Sequence, residues 1–228
     1  MSQLDPQPSI ADSETAPPRQ PVHPILWVLS GLMLAVHLAQ VAAVEGWLGR
    51  AFLPFSIYDR FGFFTEYFDA ALQGAAVPAQ FWWSFISHGF VHGSWLHLGM
   101  NTAIFLAIGH GIVRAGGIRV LLIVFFAAVV AGAAFHGLIS THAGVLIGAS
   151  GGVFGQLGMV VTWRAQMLRR HGLSRAPIWR LLMGLTAMNA ILAVGFAGLG
   201  GAQLAWEAHL GGFVAGWLLG VAFPQRGA

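Results

Sequence analysis

The chain of 228 residues is 57% apolar and only 8% charged, whereas an ordinary soluble domain is roughly 25% charged. This composition excludes a water-soluble globular protein and makes lipid the expected solvent. The basic residues are eleven arginines, which lie at the ends of apolar stretches and not among surface aromatics, so nucleic acid is not an expected partner. The absence of cysteine excludes disulfides, thiolate metal sites and cysteine nucleophiles.

Residues 1–23 precede the first apolar stretch and are rich in proline and acidic side chains. A segment of that composition buries too little apolar surface to fold, which predicts a disordered tail on the cytoplasmic side. The apolar run after the tail starts too late and is too long for a cleavable signal peptide.

Six apolar stretches follow within residues 24–224. A helix of about 20 residues spans the hydrocarbon core of a bilayer. We therefore predict an all-α, polytopic membrane domain of six transmembrane helices, with stretches at 25–44, 83–113, 118–138, 147–163, 179–200 and 204–222. The long first loop, residues 45–82, mixes phenylalanines with scattered charges, which predicts a loop in the membrane interface with short amphipathic helices.

The arginines predict the orientation of these spans. Nine of the eleven fall on the side that holds the N-terminal tail, the second and fourth loops and the C-terminal tail, whereas only Arg50 and Arg60 fall on the other side. Loops rich in arginine face the cytoplasm, so both termini are expected there. Since no organelle-targeting signal is apparent, we expect an integral protein of a bacterial plasma (inner) membrane.

Polar side chains inside a span are costly in lipid and by default indicate a functional site. Asn101, Ser150 and His209 belong to three different stretches and lie 13, 14 and 15 residues from the cytoplasmic ends of those stretches. At 1.5 Å per residue, all three lie about 20–22 Å from the cytoplasmic end of their helices, and so at one depth. His97 shares a helix face with Asn101, because the two are four residues apart.

This convergence indicates nucleophilic catalysis. A serine hydroxyl is a weak nucleophile unless a base takes its proton, and His209 is the candidate base for Ser150. Glu207 is two positions from His209 and therefore on another face, which predicts a Ser–His dyad without a third carboxylate. Ser150 is expected to open a helix whose free N–H groups, together with His97 and Asn101, donate to an oxyanion. A cavity open to the outer side would supply the water for hydrolysis.

Glycines recur every four residues after each of the two reactive residues. In membrane helices such small residues let two backbones approach closely. If the two glycine faces meet, they bring the nucleophile and the base within reach of each other. The glycines are Gly151, Gly155, Gly212, Gly216 and Gly220.

At these positions the sequence resembles the rhomboid family of intramembrane serine proteases. The matching motifs are His92-x4-His97-x3-Asn101, Gly148-x-Ser150-Gly151 and His209-x2-Gly212-x3-Gly216. The resemblance covers residues 25–222, where motif order, span number and topology agree. It implies a six-helix rhomboid-like bundle that hydrolyses peptide bonds of single-span transmembrane proteins in the lipid bilayer, without metal or other cofactor.

The resemblance also implies a role for each site residue. Ser150 is the nucleophile, His209 is the base, and His97 and Asn101 are the oxyanion donors. In the family, the first histidine of the pattern, here His92, is structural or supports the oxyanion region. Phe154 stands where the family often has a tyrosine that packs against the catalytic histidine. The implied substrate has a locally unstable helix and a small residue at the cut site.

Two positions depart from the pattern of bacterial relatives. The Trp-Arg motif before the second-span histidines reads Trp83-Ser84 here, and the acidic residue near the end of that span is Val113. In relatives the two charges pair and hold the first loop. We therefore expect a different anchor for the first loop of this chain.

Three other classes are alternatives. A non-catalytic rhomboid-like membrane chaperone would have lost the serine or the histidine, and this chain keeps both. Ten histidines suggest a His-ligated metal or haem membrane protein, but no HExxH motif is present and no carboxylate lies in the middle of a span to complete a zinc site. A coupled transporter commonly carries a carboxylate in the middle of a span, and none lies there.

Overall fold

The structure, a computed structural model, describes residues 21–47, 56–141, 144–198 and 204–225. Residues 1–20 of the predicted tail lie outside the described residues, as do parts of the first loop. The helices are α1 (Pro24–Val44), α2 (Ile57–Phe61), α3 (Thr65–Leu72), α4 (Gln80–Ser87), α5 (Trp95–Gly116), α6 (Ile118–Ile139), α7 (Ser150–Arg170), α8 (Ala176–Gly198) and α9 (Trp206–Ala222). Two short strands are present, β1 (Phe63–Phe64) and β2 (Val145–Leu146).

Each of the six apolar stretches contains one long helix. Among the described residues, α1, α5 and α6 are long and apolar enough to cross a membrane by length and composition. α9 has 17 residues, which corresponds to about 26 Å, and α7 and α8 carry arginines within their length. The chain is a mostly helical membrane protein, and the count of six spans stays a prediction.

The predicted second stretch, residues 83–113, is divided in the structure. α4 ends at Ser87, a 3₁₀ turn covers His88–Phe90, and α5 begins only at Trp95. Ser94 caps α5, because its hydroxyl oxygen accepts a hydrogen bond from the His97 N–H at 3.1 Å. The prediction of one continuous span is wrong here, since apolar composition does not reveal a cap that starts a new helix.

α7 is the central helix and packs against α5, α6 and α9. Phe105, Phe125 and Met159 are fully buried in the core between α5, α6 and α7. α7 continues past the predicted end at residue 163 to Arg170, since arginines are favourable at the negative end of a helix dipole. Large apolar side chains cover the outside of the bundle, as contact with lipid requires, among them Trp27, Leu32, Ile123, Trp217 and Leu218.

The first loop is anchored on α4. The positions i, i+3 and i+7 of α4 form one helix face, and their side chains donate to three consecutive carbonyl groups of α2. The bonds run from Gln80 Nε2 to Asp59 O (2.9 Å), from Trp83 Nε1 to Arg60 O (3.0 Å) and from Ser87 Oγ to Phe61 O (2.8 Å). The Arg60 guanidinium also lies 5.1 Å from the centre of the Trp83 ring, a cation–π geometry. The loop therefore has an anchor that needs no ion pair at Ser84 and Val113.

The two strands join the first loop to the segment that enters α7. They pair antiparallel, with Phe63 opposite Leu146 and Phe64 opposite Val145. Phe63 is fully buried, and Leu146 is buried beside it. The loop is thus held at α4 on one side and at the approach to Ser150 on the other.

Candidate active site

Ser150 is the first residue of α7, so the prediction that it opens a helix is confirmed. The first N–H groups of a helix have no acceptor inside the helix, so this end of α7 offers donors beside the serine. Gly148 shapes the approach, with φ at +117°, a conformation that side chains rarely adopt. A Cβ there would lie 2.7 Å from the His97 ring. The Gly148 N–H donates to the carbonyl of His88 at 2.9 Å.

His209 lies in the first turn of α9, and its side chain is buried. Its ring stacks on that of Phe154 in α7, with centroids 4.3 Å apart and planes at 7°. This is the packing that the family resemblance implies for position 154. On the other edge of the ring, Nδ1 lies 2.8 Å from Oδ1 of Asn189 in α8. The His209 ring is therefore held by Phe154 on one face and by Asn189 at Nδ1. The nitrogen that is not bonded to Asn189 is Nε2.

α7 and α9 pack backbone against backbone through their glycines. A Cβ on Gly212 would collide with the carbonyl oxygen of Gly151, and a Cβ on Gly216 would collide with that of Gly155. The two predicted glycine faces thus meet. Gly151 directly follows the serine, and Gly212 lies about one turn after the histidine. The packing therefore brings Ser150 and His209 to the same end of the helix pair.

The two predicted oxyanion donors lie in the first two turns of α5. The Gly93 N–H approaches His97 Nδ1 at 3.5 Å, a long contact that favours the tautomer with its hydrogen on Nε2. That edge of the ring, Cε1 and Nε2, is the one nearest to Gly148. Asn101 is buried and donates one amide hydrogen to its own helix, to the carbonyl of His97 at 3.0 Å. An amide nitrogen carries a second hydrogen for another acceptor.

His92 supports the segment that precedes the serine. The N–H of Ala149 donates to His92 Nε2 at 3.4 Å, and His92 Nδ1 lies 3.3 Å from the carbonyl of Phe90. The His92 carbonyl is in turn 3.0 Å from Nδ1 of His37 in α1. The fully buried ring meets the His97 ring edge-on at 5.1 Å. These contacts support a structural role for His92, through the backbone next to Ser150.

Glu207 faces α6 and not His209. Its carboxylate oxygen Oε2 lies 3.4 Å from Nδ1 of His136, and both side chains are buried. The place beside Nδ1 of His209 is taken instead by Asn189, a residue that the sequence reasoning missed. The available signal was a second amide in an apolar stretch, since the chain has two asparagines, Asn101 and Asn189.

Within the described residues, no group of three or more His, Asp or Glu side chains is arranged to hold a metal ion. Two cavities of about 400 Å³ lie away from Ser150 and His209. One is beside the start of α1 and Arg114, and the other is between α1 and the first loop. The water-filled cavity expected at the serine stays a prediction.

Comparison with known protein families gives one match. The model of the Rhomboid domain matches residues 79–226, about two thirds of the chain. The matched region starts at α4 and includes all three motifs that carry the resemblance. A comparison with curated proteins gave no match.

Proposed function

Because this chain belongs to the rhomboid family, a family generally of serine proteases that act on transmembrane substrates, we propose that it is an intramembrane serine endopeptidase with Ser150 as nucleophile and His209 as base. One observation carries the proposal. Phe154 lies four residues after Ser150, on the same face of α7, and the His209 ring stacks on it. The imidazole therefore lies beside the helix face that presents the serine.

In the first step, His209 Nε2 takes the proton of the Ser150 hydroxyl while Oγ bonds to the carbonyl carbon of the scissile peptide. The carbonyl oxygen becomes an oxyanion. The Ser150 N–H, His97 Nε2–H and the second N–H of the Asn101 amide are the donors available to it. Removal of one such donor typically costs roughly 10²–10³ in kcat.

In the second step, the protonated His209 gives its proton to the leaving amine nitrogen, and the peptide bond breaks. An acyl group remains on Ser150. Water then attacks that ester while His209 again accepts the proton, which returns on Oγ as the carboxylate product leaves. This second half of the reaction needs the water-accessible cavity within the bilayer that the sequence predicts.

The proposed substrates are single-span transmembrane proteins, because a chain buried in lipid meets other chains chiefly as helices. A helix must unwind before an internal carbonyl is open to attack, so a locally unstable helix with a small residue at the cut site is favoured. Six spans, cytoplasmic termini and a bacterial plasma membrane complete the proposal.

The test compares wild type with Ser150→Ala and His209→Ala in detergent, with a model transmembrane substrate and with a fluorophosphonate probe. We expect cleavage and probe labelling by wild type, and at least a 10³-fold loss in both variants, since loss of the serine or histidine of a serine protease typically costs about 10⁶ in kcat. Ser30→Ala in α1 and His110→Ala in α5 are matched controls and should keep wild-type activity. Equal cleavage by all five proteins would overturn the assignment.

If wild type neither cleaves nor labels while folded, the chain is not a serine protease. The non-catalytic chaperone then becomes the better interpretation. Labelling of Ser150 without cleavage would show an active hydrolase offered the wrong substrate.

A further inference from the structure

Asn189 is a polar residue in the middle of the apolar helix α8. An amide inside a membrane helix is costly unless it is hydrogen-bonded. The ordinary explanation is a hydrogen-bonded bridge between two helices, which is common in membrane bundles. Here the partner is the catalytic candidate His209, so the bridge has a chemical consequence as well.

Two contacts determine which way the amide faces. Its Nδ2 lies 3.0 Å from the carbonyl oxygen of Leu185, one turn earlier in α8. A carbonyl oxygen accepts and never donates, so the NH₂ group must face Leu185. The amide oxygen Oδ1 then faces His209 Nδ1, at 2.8 Å. An amide oxygen also only accepts, and the His209 ring must therefore carry its hydrogen on Nδ1.

This tautomer is the one that the proposed reaction needs. With hydrogen on Nδ1, the lone pair of the neutral ring is on Nε2, where it takes the proton of Ser150. After proton transfer both ring nitrogens carry hydrogen, and the amide oxygen still accepts from Nδ1. The negative end of the amide dipole then lies against the positive imidazolium. The Phe154 ring is parallel to the imidazole and restrains the imidazole from tilting out of its plane.

We propose that Asn189 is a positioning residue that selects the Nδ1–H tautomer of His209, so that Ser150, His209 and Asn189 form a triad contributed by α7, α9 and α8. This proposal rests on the proposed function for its kinetic consequence but not for the tautomer itself. Glu207 does not serve in this role because its carboxylate is paired with His136.

The kinetic test uses Asn189→Leu, which removes the acceptor at similar volume, and Asn189→Asp, which keeps an acceptor at the same reach. A general base contributes roughly 10²–10⁴-fold, and loss of its orienting partner should remove part of this. We expect Asn189→Leu to lower kcat and the fluorophosphonate labelling rate about 10- to 100-fold with KM within about twofold of wild type. Asn189→Asp should recover most of the loss. Thr186→Val, on an exposed part of α8, is the control and should behave as wild type.

Wild-type kcat in Asn189→Leu would overturn the proposal. So would equal losses in the Leu and Asp variants with equally lowered thermal stability, because that result indicates a purely structural bridge.

A second measurement does not depend on activity. In protein labelled with ¹⁵N-histidine, the His209 signals are assigned by their loss in His209→Gln. Wild type should show a protonated Nδ1 and an unprotonated Nε2, and Asn189→Leu should show a mixture of both tautomers. A hydrogen on Nε2 in wild type, or an unchanged spectrum in Asn189→Leu, contradicts the proposal. This readout decides the role of Asn189 even if the chain proves to be no protease.

Discussion

At Gly148, the lack of a side chain lets the His97 ring pack against the backbone that leads into Ser150. The backbone there has a positive φ, and the His97 ring lies only 2.7 Å from where a Cβ would be. Ala149 and Ser150 follow directly, so a shift at Gly148 moves the proposed nucleophile. The demands on this residue are steric and conformational at once, and only glycine meets both.

We predict that Gly148→Ala lowers kcat and the labelling rate at Ser150 at least tenfold. The new methyl group should displace the His97 ring, a proposed oxyanion donor, and loss of one such donor costs roughly 10²–10³ in kcat. Gly144→Ala is the matched control, because nothing lies within 4 Å of a Cβ at that position. Both variants are compared by the rate of fluorophosphonate labelling. Wild-type labelling of Gly148→Ala would contradict this reading of the site.

Single residues also show what sequence alone can reveal. Ser150 and His209 were proposed as site residues because polar side chains at matched depth in lipid are costly and by default indicate function. Asn189 satisfied the same rule and was passed over. Its partner is on another helix, and the contact depends on how α8 is rotated against α9, which spacing along one helix does not give.

At the scale of elements, the interface between α7 and α9 depends on glycine. The carbonyl groups of Gly151 and Gly155 lie where side chains on Gly212 and Gly216 would be. Farther along, Thr162 Oγ1 lies 2.9 Å from the Gly158 carbonyl oxygen of α7 and 3.1 Å from the Trp217 carbonyl oxygen of α9, so that its one hydrogen is shared between the two helices. The spacing of glycines predicted this interface, because small-xxx-small faces of membrane helices let two backbones pack closely.

We predict that Gly216→Ala separates α7 from α9 and lowers both stability and activity. Overpacking in a tight interface costs about 1–3 kcal/mol, so the thermal unfolding midpoint in detergent should fall clearly. Gly184→Ala, also within a helix, has nothing within 4 Å of the new Cβ and should unfold as wild type does. Equal midpoints for the two variants would show that the glycine contact does not limit stability.

The anchor of the first loop could be predicted only in part. The absence of charges at Ser84 and Val113 indicated that a different anchor was needed. It did not indicate three side chains of α4 donating to three carbonyls of α2, since that arrangement depends on where α2 lies in space. The division of the second stretch at Ser94 was missed for a related reason, because a capping serine and a buried serine look alike in composition.

At the scale of the whole molecule, the distribution of arginines and the apolar exterior both indicate a membrane protein. The outside of the bundle exposes large apolar side chains such as Trp27 and Trp217, which only lipid covers well. The helix pairings and the rhomboid match agree with the predicted class. The number of spans follows less directly, because α9 is short and α7 contains glycines in its first half and arginines in its last turns.

The orientation is open to a direct test, because the chain contains no cysteine. We predict that an impermeant maleimide labels Gln73→Cys, in the first loop, on intact cells. Leu173→Cys, between α7 and α8, should react only after the membrane is permeabilised, since arginine-rich loops face the cytoplasm. Both side chains are exposed in the structure. The reverse pattern of labelling would contradict the predicted topology, because it would place the first loop in the cytoplasm and the site near the cytoplasmic surface.

The pairing of β1 with β2 has a consequence for biosynthesis. Phe63 and Phe64 are made about 80 residues before their partners Val145 and Leu146. Chain synthesis proceeds at about 5–20 residues per second, so β2 is made roughly 4–16 s after β1. Through that interval the edge of β1 is open, and the approach to Ser150 does not yet exist. A chain whose synthesis stops between the two strands therefore lacks both Ser150 and the segment that pairs with β1.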